Sequence, residues 1–151
     1  MRVRAIVITR AVFLVLVCAL GIGTIERSRA IFLGDVVSLT DQNVIGIPQG
    51  DEVTILLDLF PFEGKLKALS PSDRTQVATE LALRATDIYL DGTTDEERAA
   101  VKTTSVALVY IRQRDEYNKP RFSSMAELGR AKVVVTNGKP ASASVTGALE
   151  F

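Results

Sequence analysis

The sequence predicts a mainly α protein: a small helical bundle of three to four helices behind an N-terminal apolar segment, with α+β as the alternative. Three observations point there. Ser70-Pro71 sets a capping hydroxyl before a proline at the first helical position, and no breaker follows until Gly92. Thr94 with Glu97, and Ser124 with Glu127, each match the reciprocal capping pattern that opens a helix. The connections left between these segments are short, as between antiparallel helices.

Residues 1–30 read as a signal peptide or a single-span membrane anchor. Arg2 and Arg4 precede the apolar run Ala11–Ile25, in the order of a basic region and a hydrophobic region. That run is short for a spanning helix, which needs about 20 residues. Extending it to residues 5–25 brings Arg10 inside, where a charge is costly unless it reaches the interface. Ala19–Gly21 and Ser28–Ala30 both offer small residues at the positions a leader peptidase reads. Cys18 suggests a lipid anchor, but Val17 is bulky where a small residue is required. The alternative is a buried core element. An export segment places the rest of the chain outside the cytoplasm, in a periplasm or lumen, either membrane-anchored or secreted.

Residues 31–50 mix apolar pairs with Gly34, Gly46, Pro48 and Gly50, and are expected to form an irregular lead-in. Residues 51–137 are expected to form the helical globular domain. Asp51 can cap a helix with Val53, Leu56, Leu57 and Phe60 on one face and Pro61 as its stop; a strand fits the same run. The helix from Ser70 carries Val77, Leu81 and Ile88 on its apolar stripe. The segment after Thr94 holds no Gly or Pro until Pro120, which predicts one long helix with Val101, Thr104, Leu108 and Ile111 inward. Its β-branched residues leave a strand over 104–112 open. The Ser124 helix, with Met125 and Leu128 inward, is expected to run on to Asn137-Gly138; a hairpin about that Asn-Gly pair is the alternative. Residues 138–151 are small and polar, a flexible or short extended tail.

Composition narrows the chemistry. With no His, histidine-based catalytic triads, histidine general bases and His-ligated zinc are excluded. One Cys allows no intramolecular disulfide. Basic and acidic residues balance at 18 each, but five of the basic ones and one acid lie in the first thirty positions. The remainder therefore holds 13 basic and 17 acidic residues, a net charge of about −4, which argues against nucleic acid as a partner. No cofactor or metal is expected. The acids Asp95, Glu96 and Glu97 suit a helix N-terminus better than a cation site.

The candidate partner-binding residues lie in Tyr110–Phe122, where charge and aromatic rings interleave. They are Arg112, Arg114, Tyr117, Lys119, Arg121 and Phe122. Arginine forks match carboxylates, and aromatic rings supply buried area at interfaces. The stretch Tyr110–Leu128 resembles half of a helix-hairpin-helix motif, but lacks the Gly-hydrophobic-Gly hairpin that would hold a phosphate, so no DNA binding follows. An export segment, helices and a break at Tyr117–Pro120 are together similar to the small lumenal bundle proteins that assist photosystem II assembly. That resemblance implies a role as an assembly or stability factor of a membrane complex. The expected function is thus a non-enzymatic extracytoplasmic accessory domain docking on a larger protein complex. A small hydrolase working with carboxylates alone is the alternative from another class.

Overall fold

The computed structural model describes residues 37–151. The expected signal peptide or anchor, including residues 5–25, lies outside them, as does the start of the lead-in.

The fold is α+β, which corrects the expected helical bundle. Five strands form one mixed sheet in the order β1-β2-β3-β4-β5: β1 (Val44–Gln49), β2 (Glu52–Asp58), β3 (Thr103–Ile111), β4 (Met125–Thr136) and β5 (Lys139–Thr146). The helices are α1 (Glu63–Lys67), α2 (Pro71–Asp91) and α3 (Asp95–Ala100). β1 and β2 are an antiparallel hairpin turning at Gly50, whose φ is 71°. β2 and β3 are parallel, so the chain must cross between them, and α2 lies in that crossover. β3–β4 and β4–β5 are antiparallel.

α2 follows its punctuation. Ser70 Oγ accepts from Asp73 N at 3.3 Å, Pro71 begins the helix and Gly92 closes it. Its buried stripe includes Val77, Leu81, Ala85, Thr86 and Leu90. The stripe packs on the sheet face that bears Val53, Ile55, Leu57, Thr104, Val106 and Leu108 in register across β2 and β3, and that continues through Ala131 and Val133 to Ala143 and Val145; the helix lies closest to β5. Two contacts fix the seating. Thr86 and Thr104, both fully buried, share a hydroxyl–hydroxyl hydrogen bond of 2.8 Å. The Tyr89 ring lies against Gly46 of β1, where an added Cβ would come within 2.0 Å of it.

The other expected helices are strands, for identifiable reasons. The Asp51 segment takes the strand alternative, with Val53, Ile55 and Leu57 alternating inward. Thr94 does cap a helix, with Glu97 N donating to its Oγ at 3.3 Å, but α3 ends at Ala100. Thr103–Ile111 is the central strand, buried on both faces from Val106 onward, so its sequence shows no alternation. The second face bears the apolar cluster of Leu56, Ala107, Val109 and Ile111. Ser124 opens no helix; Met125–Thr136 is a strand whose Ala131, Val133 and Val135 face inward. Asn137 (φ 53°) and Gly138 (φ 70°) form the tight hairpin turn into β5. Val44–Gln49 is thus a sheet edge rather than part of an irregular lead-in, and Lys139–Thr146, the other edge, takes the extended alternative for the tail. The layout behind the likeness to the lumenal bundle proteins is absent with the bundle.

Beyond β5, Gly147 (φ 62°) turns the chain back across β4. Glu150 N donates to Leu128 O at 2.9 Å, Leu149 is fully buried, and the Phe151 ring meets Tyr110 edge-on, centroids 6.3 Å apart. Gly129 has no room for a side chain there, since a Cβ would fall 1.6 Å from Gly147 O.

Candidate functional site

The six expected partner-binding residues all fall in the connection between β3 and β4, which is a hairpin extension rather than a helix end. Arg121 N donates to Gln113 O at 2.8 Å, and Arg114 and Pro120 are bridged. The tip is closed by Asp115. Its carboxylate accepts from Tyr117 N at 2.9 Å and from Lys119 N at 2.8 Å, while its backbone N–H donates to Lys119 O at 2.9 Å. Asn118 takes the left-handed conformation (φ 61°) that completes the turn. Asp and Asn have short polar side chains suited to these positions.

Arg114 ties this tip to the body of the domain. One guanidinium nitrogen donates to the buried Asp58 carboxylate at the end of β2, and another donates to Asn118 O at 3.2 Å. The guanidinium also lies 5.9 Å from the centre of the Phe60 ring. Asp58 in turn accepts from Phe60 N at 3.0 Å, so one carboxylate sets both the arginine and the aromatic turn.

Between the tip and the Phe60-Pro61 turn lies a groove of about 710 Å³. Tyr117, Lys119 and Pro120 form one wall, and Phe60 and Pro61 the other, with Gln42 and Asn43 also in its lining. Tyr117 is 75% exposed. Asn43 accepts Thr40 N on its side-chain oxygen at 3.1 Å, and among the described residues its amide N–H groups meet no acceptor. Among the described residues the Lys119 ammonium has no carboxylate partner. Rings, amides and, among the described residues, one cation without a carboxylate partner thus line one groove.

The structure therefore brings together Arg114, Tyr117 and Lys119. The other three expected residues stand apart from the groove. Arg112 is exposed, its guanidinium 5.4 Å from the Tyr110 ring; Arg121 and Phe122 are exposed without lining the cavity. Sequence reasoning did not single out Gln42, Asn43, Phe60, Pro61, Asn118 or Pro120. The signal for Phe60 and Pro61 is the Phe-Pro-Phe run, in which the sequence reading places Phe60 on a helix face and Pro61 as the stop.

Beside this site, Tyr110 is 3% exposed, and its phenol is pushed up to about 12 by burial and by Glu63. Glu63 is held below the usual carboxylate range by its hydrogen bonds to Lys67 and Tyr110. Glu97, bonded to Thr94, and Glu127, bonded to Arg130, are also held low. Among the described residues no three acids or cysteines converge as a metal-ligand set. No helix among them is long and apolar enough to cross a membrane.

Compared with known protein families, curated proteins and solved structures, the chain matches none.

Proposed function

We propose that this protein is a non-enzymatic docking module, exported or membrane-tethered by its N-terminal segment. It takes an acidic, extended segment of a larger extracytoplasmic protein complex into the groove between the 115–119 tip and Phe60-Pro61. The observation that carries this reading is the restraint of the tip. Asp115 closes it from within and Arg114 fastens it to Asp58, yet the large Tyr117 ring is left 75% exposed beside the groove. A rigid exposed aromatic loses little entropy on binding, which is how interface anchors work. Lys119 supplies the charge that favours an acidic partner, and the Asn43 amide N–H groups, without an acceptor among the described residues, suit a peptide backbone. Export rests on the basic-then-apolar order of residues 1–25. Service as an assembly factor of a membrane complex, a photosystem for instance, is one form of this role; the bundle likeness no longer supports it.

The test is photocrosslinking in the native host with a benzophenone amino acid at position 117. A discrete adduct is expected, reduced when Lys119→Glu is added. The control position is Glu96, exposed on α3. Equal labelling at 96 and 117 rejects the groove. Recovery of the intact chain from the cytosol alone rejects the extracytoplasmic placement.

The carboxylate hydrolase has less support. The carboxylates with shifted titration, Glu63, Glu97 and Glu127, are all held low, unlike a general acid, and none of them lines this groove.

A further inference from the structure

We propose that two copies of this chain pair through the outer edge of β5, antiparallel and two-fold symmetric about Ser144. β5 pairs with β4 alone, so among the described residues its second edge carries unpaired backbone N–H and C=O groups. Proteins blunt such edges with charges, prolines and bulges, because an open edge is a template for another strand. The far edge, β1, is interrupted by Pro48, which has no N–H to offer. Among the described residues, the guards within β5 itself stand at its start: Lys139, Pro140, and the extra residue Ala141 where the register slips opposite Val134 and Val135, while α2 lies against its Ala143–Val145 face. Ser142 to Thr146 then runs in unbroken register against Arg130–Val134, with no charge, proline, glycine or bulge.

The occupant this edge fits is itself. A two-fold interface must be self-complementary, each residue meeting its counterpart's partner. Centred on Ser144, Ser142 meets Thr146, Ala143 meets Val145 and Ser144 meets its own copy. Alternation puts Ser142, Ser144 and Thr146 on one face, where cross-strand hydroxyl pairs hydrogen-bond. Ala143 and Val145, half-buried now, meet on the helix-covered face. No like charges are opposed. The nearest, Lys132, sits beside Ser144 on β4, so the two lysines lie three strand spacings apart, about 14 Å, beyond the screening length in salt. The contact is small, so pairing is concentration-dependent.

The experiment uses the full chain in mild detergent, with Cys18→Ser and single cysteines on the edge. Oxidation of Ser144→Cys is expected to give a disulfide-linked dimer, because antiparallel partners sit within disulfide reach. Ser142→Cys or Thr146→Cys alone should give little, since each lies four residues, about 13 Å, from its own copy. Mixing those two variants should restore the crosslink. Equal crosslinking at all three positions, or none at Ser144, overturns the proposal. Light scattering supplies a second readout. Ser144→Lys sets two ammonium groups on the axis and is expected to lower the concentration-dependent mass toward the monomer. A mass that Ser144→Lys leaves unchanged also overturns it.

Discussion

Arg114 donates to the Asp58 carboxylate across 56 positions of chain, and this pair joins the β3–β4 hairpin tip to the end of β2. Asp58 is 4% exposed and also holds Phe60 N, so removing the arginine strands a buried carboxylate. Arg114→Ala is expected to lower unfolding stability by about 3 kcal/mol. Arg114→Lys should recover only part of that, because one ammonium cannot reproduce the fork to Asp58 and Asn118 O. Denaturant titration of the variants measures both.

The Thr86–Thr104 bond is the polar link between α2 and β3 in an apolar layer. Thr104→Val leaves the Thr86 hydroxyl buried without this partner and is expected to cost about 1–2 kcal/mol. The double change to Val at both positions should cost less than the two single changes summed, a coupling read from a double-mutant cycle.

Two glycines mark places where backbone must be bare. Gly46→Ala drives a methyl group into the Tyr89 ring, a cost of about 1–3 kcal/mol, partly relieved by Tyr89→Leu. Gly129→Ala meets the Gly147 carbonyl, which is backbone and cannot rotate aside. It should therefore detach the 147–151 segment, seen as faster amide exchange at Glu150 and loss of the Phe151–Tyr110 ring contact.

Burial, with the Glu63 hydrogen bond, pushes the Tyr110 phenol up to about 12 in the folded chain, against an ordinary value near 10. Below pH 10 both states are protonated and this group's contribution is constant. Between pH 10 and about 12 the unfolded state loses its proton first, so stability falls as pH rises through that window. Tyr110→Phe should flatten that slope in denaturation midpoints measured from pH 9 to 12.

Asp115→Ala removes the acceptor for Tyr117 N and Lys119 N. Global stability should change by less than about 1 kcal/mol, since the tip is exposed. Amide exchange at Tyr117 and Lys119 should accelerate, and crosslinking from position 117 should fall. Asn118→Val, forced to φ 61°, should do the same through strain.

Local chemistry was legible wherever it decided the outcome by itself. Ser70, Pro71 and Gly92 bound α2, and the Thr94–Glu97 box caps α3. The same reading failed after Ala100 and after Ser124, because a cap announces a start and says nothing of length. At Ser124 the hydroxyl instead accepts from Gln113 N at 3.0 Å across the hairpin. The groove was half legible: the density of charge and rings in Tyr110–Phe122 marked the region. Its second wall comes from Phe60-Pro61, brought there by Asp58 and Arg114.

By itself the sequence determined the basic and apolar character of residues 1–30, the absence of histidine chemistry, the long helix with its caps, and the polar-aromatic stretch that became the tip. These depend on residue identity and on neighbours within a turn or two. Only the tertiary structure decided that Thr103–Ile111 is a central strand and which of the six candidate residues share a groove. A strand buried on both faces loses its alternation, and its hydrogen bonds go to residues far away in the chain. Its conformation is therefore set by the partners it finds, β2 on one side and β4 on the other.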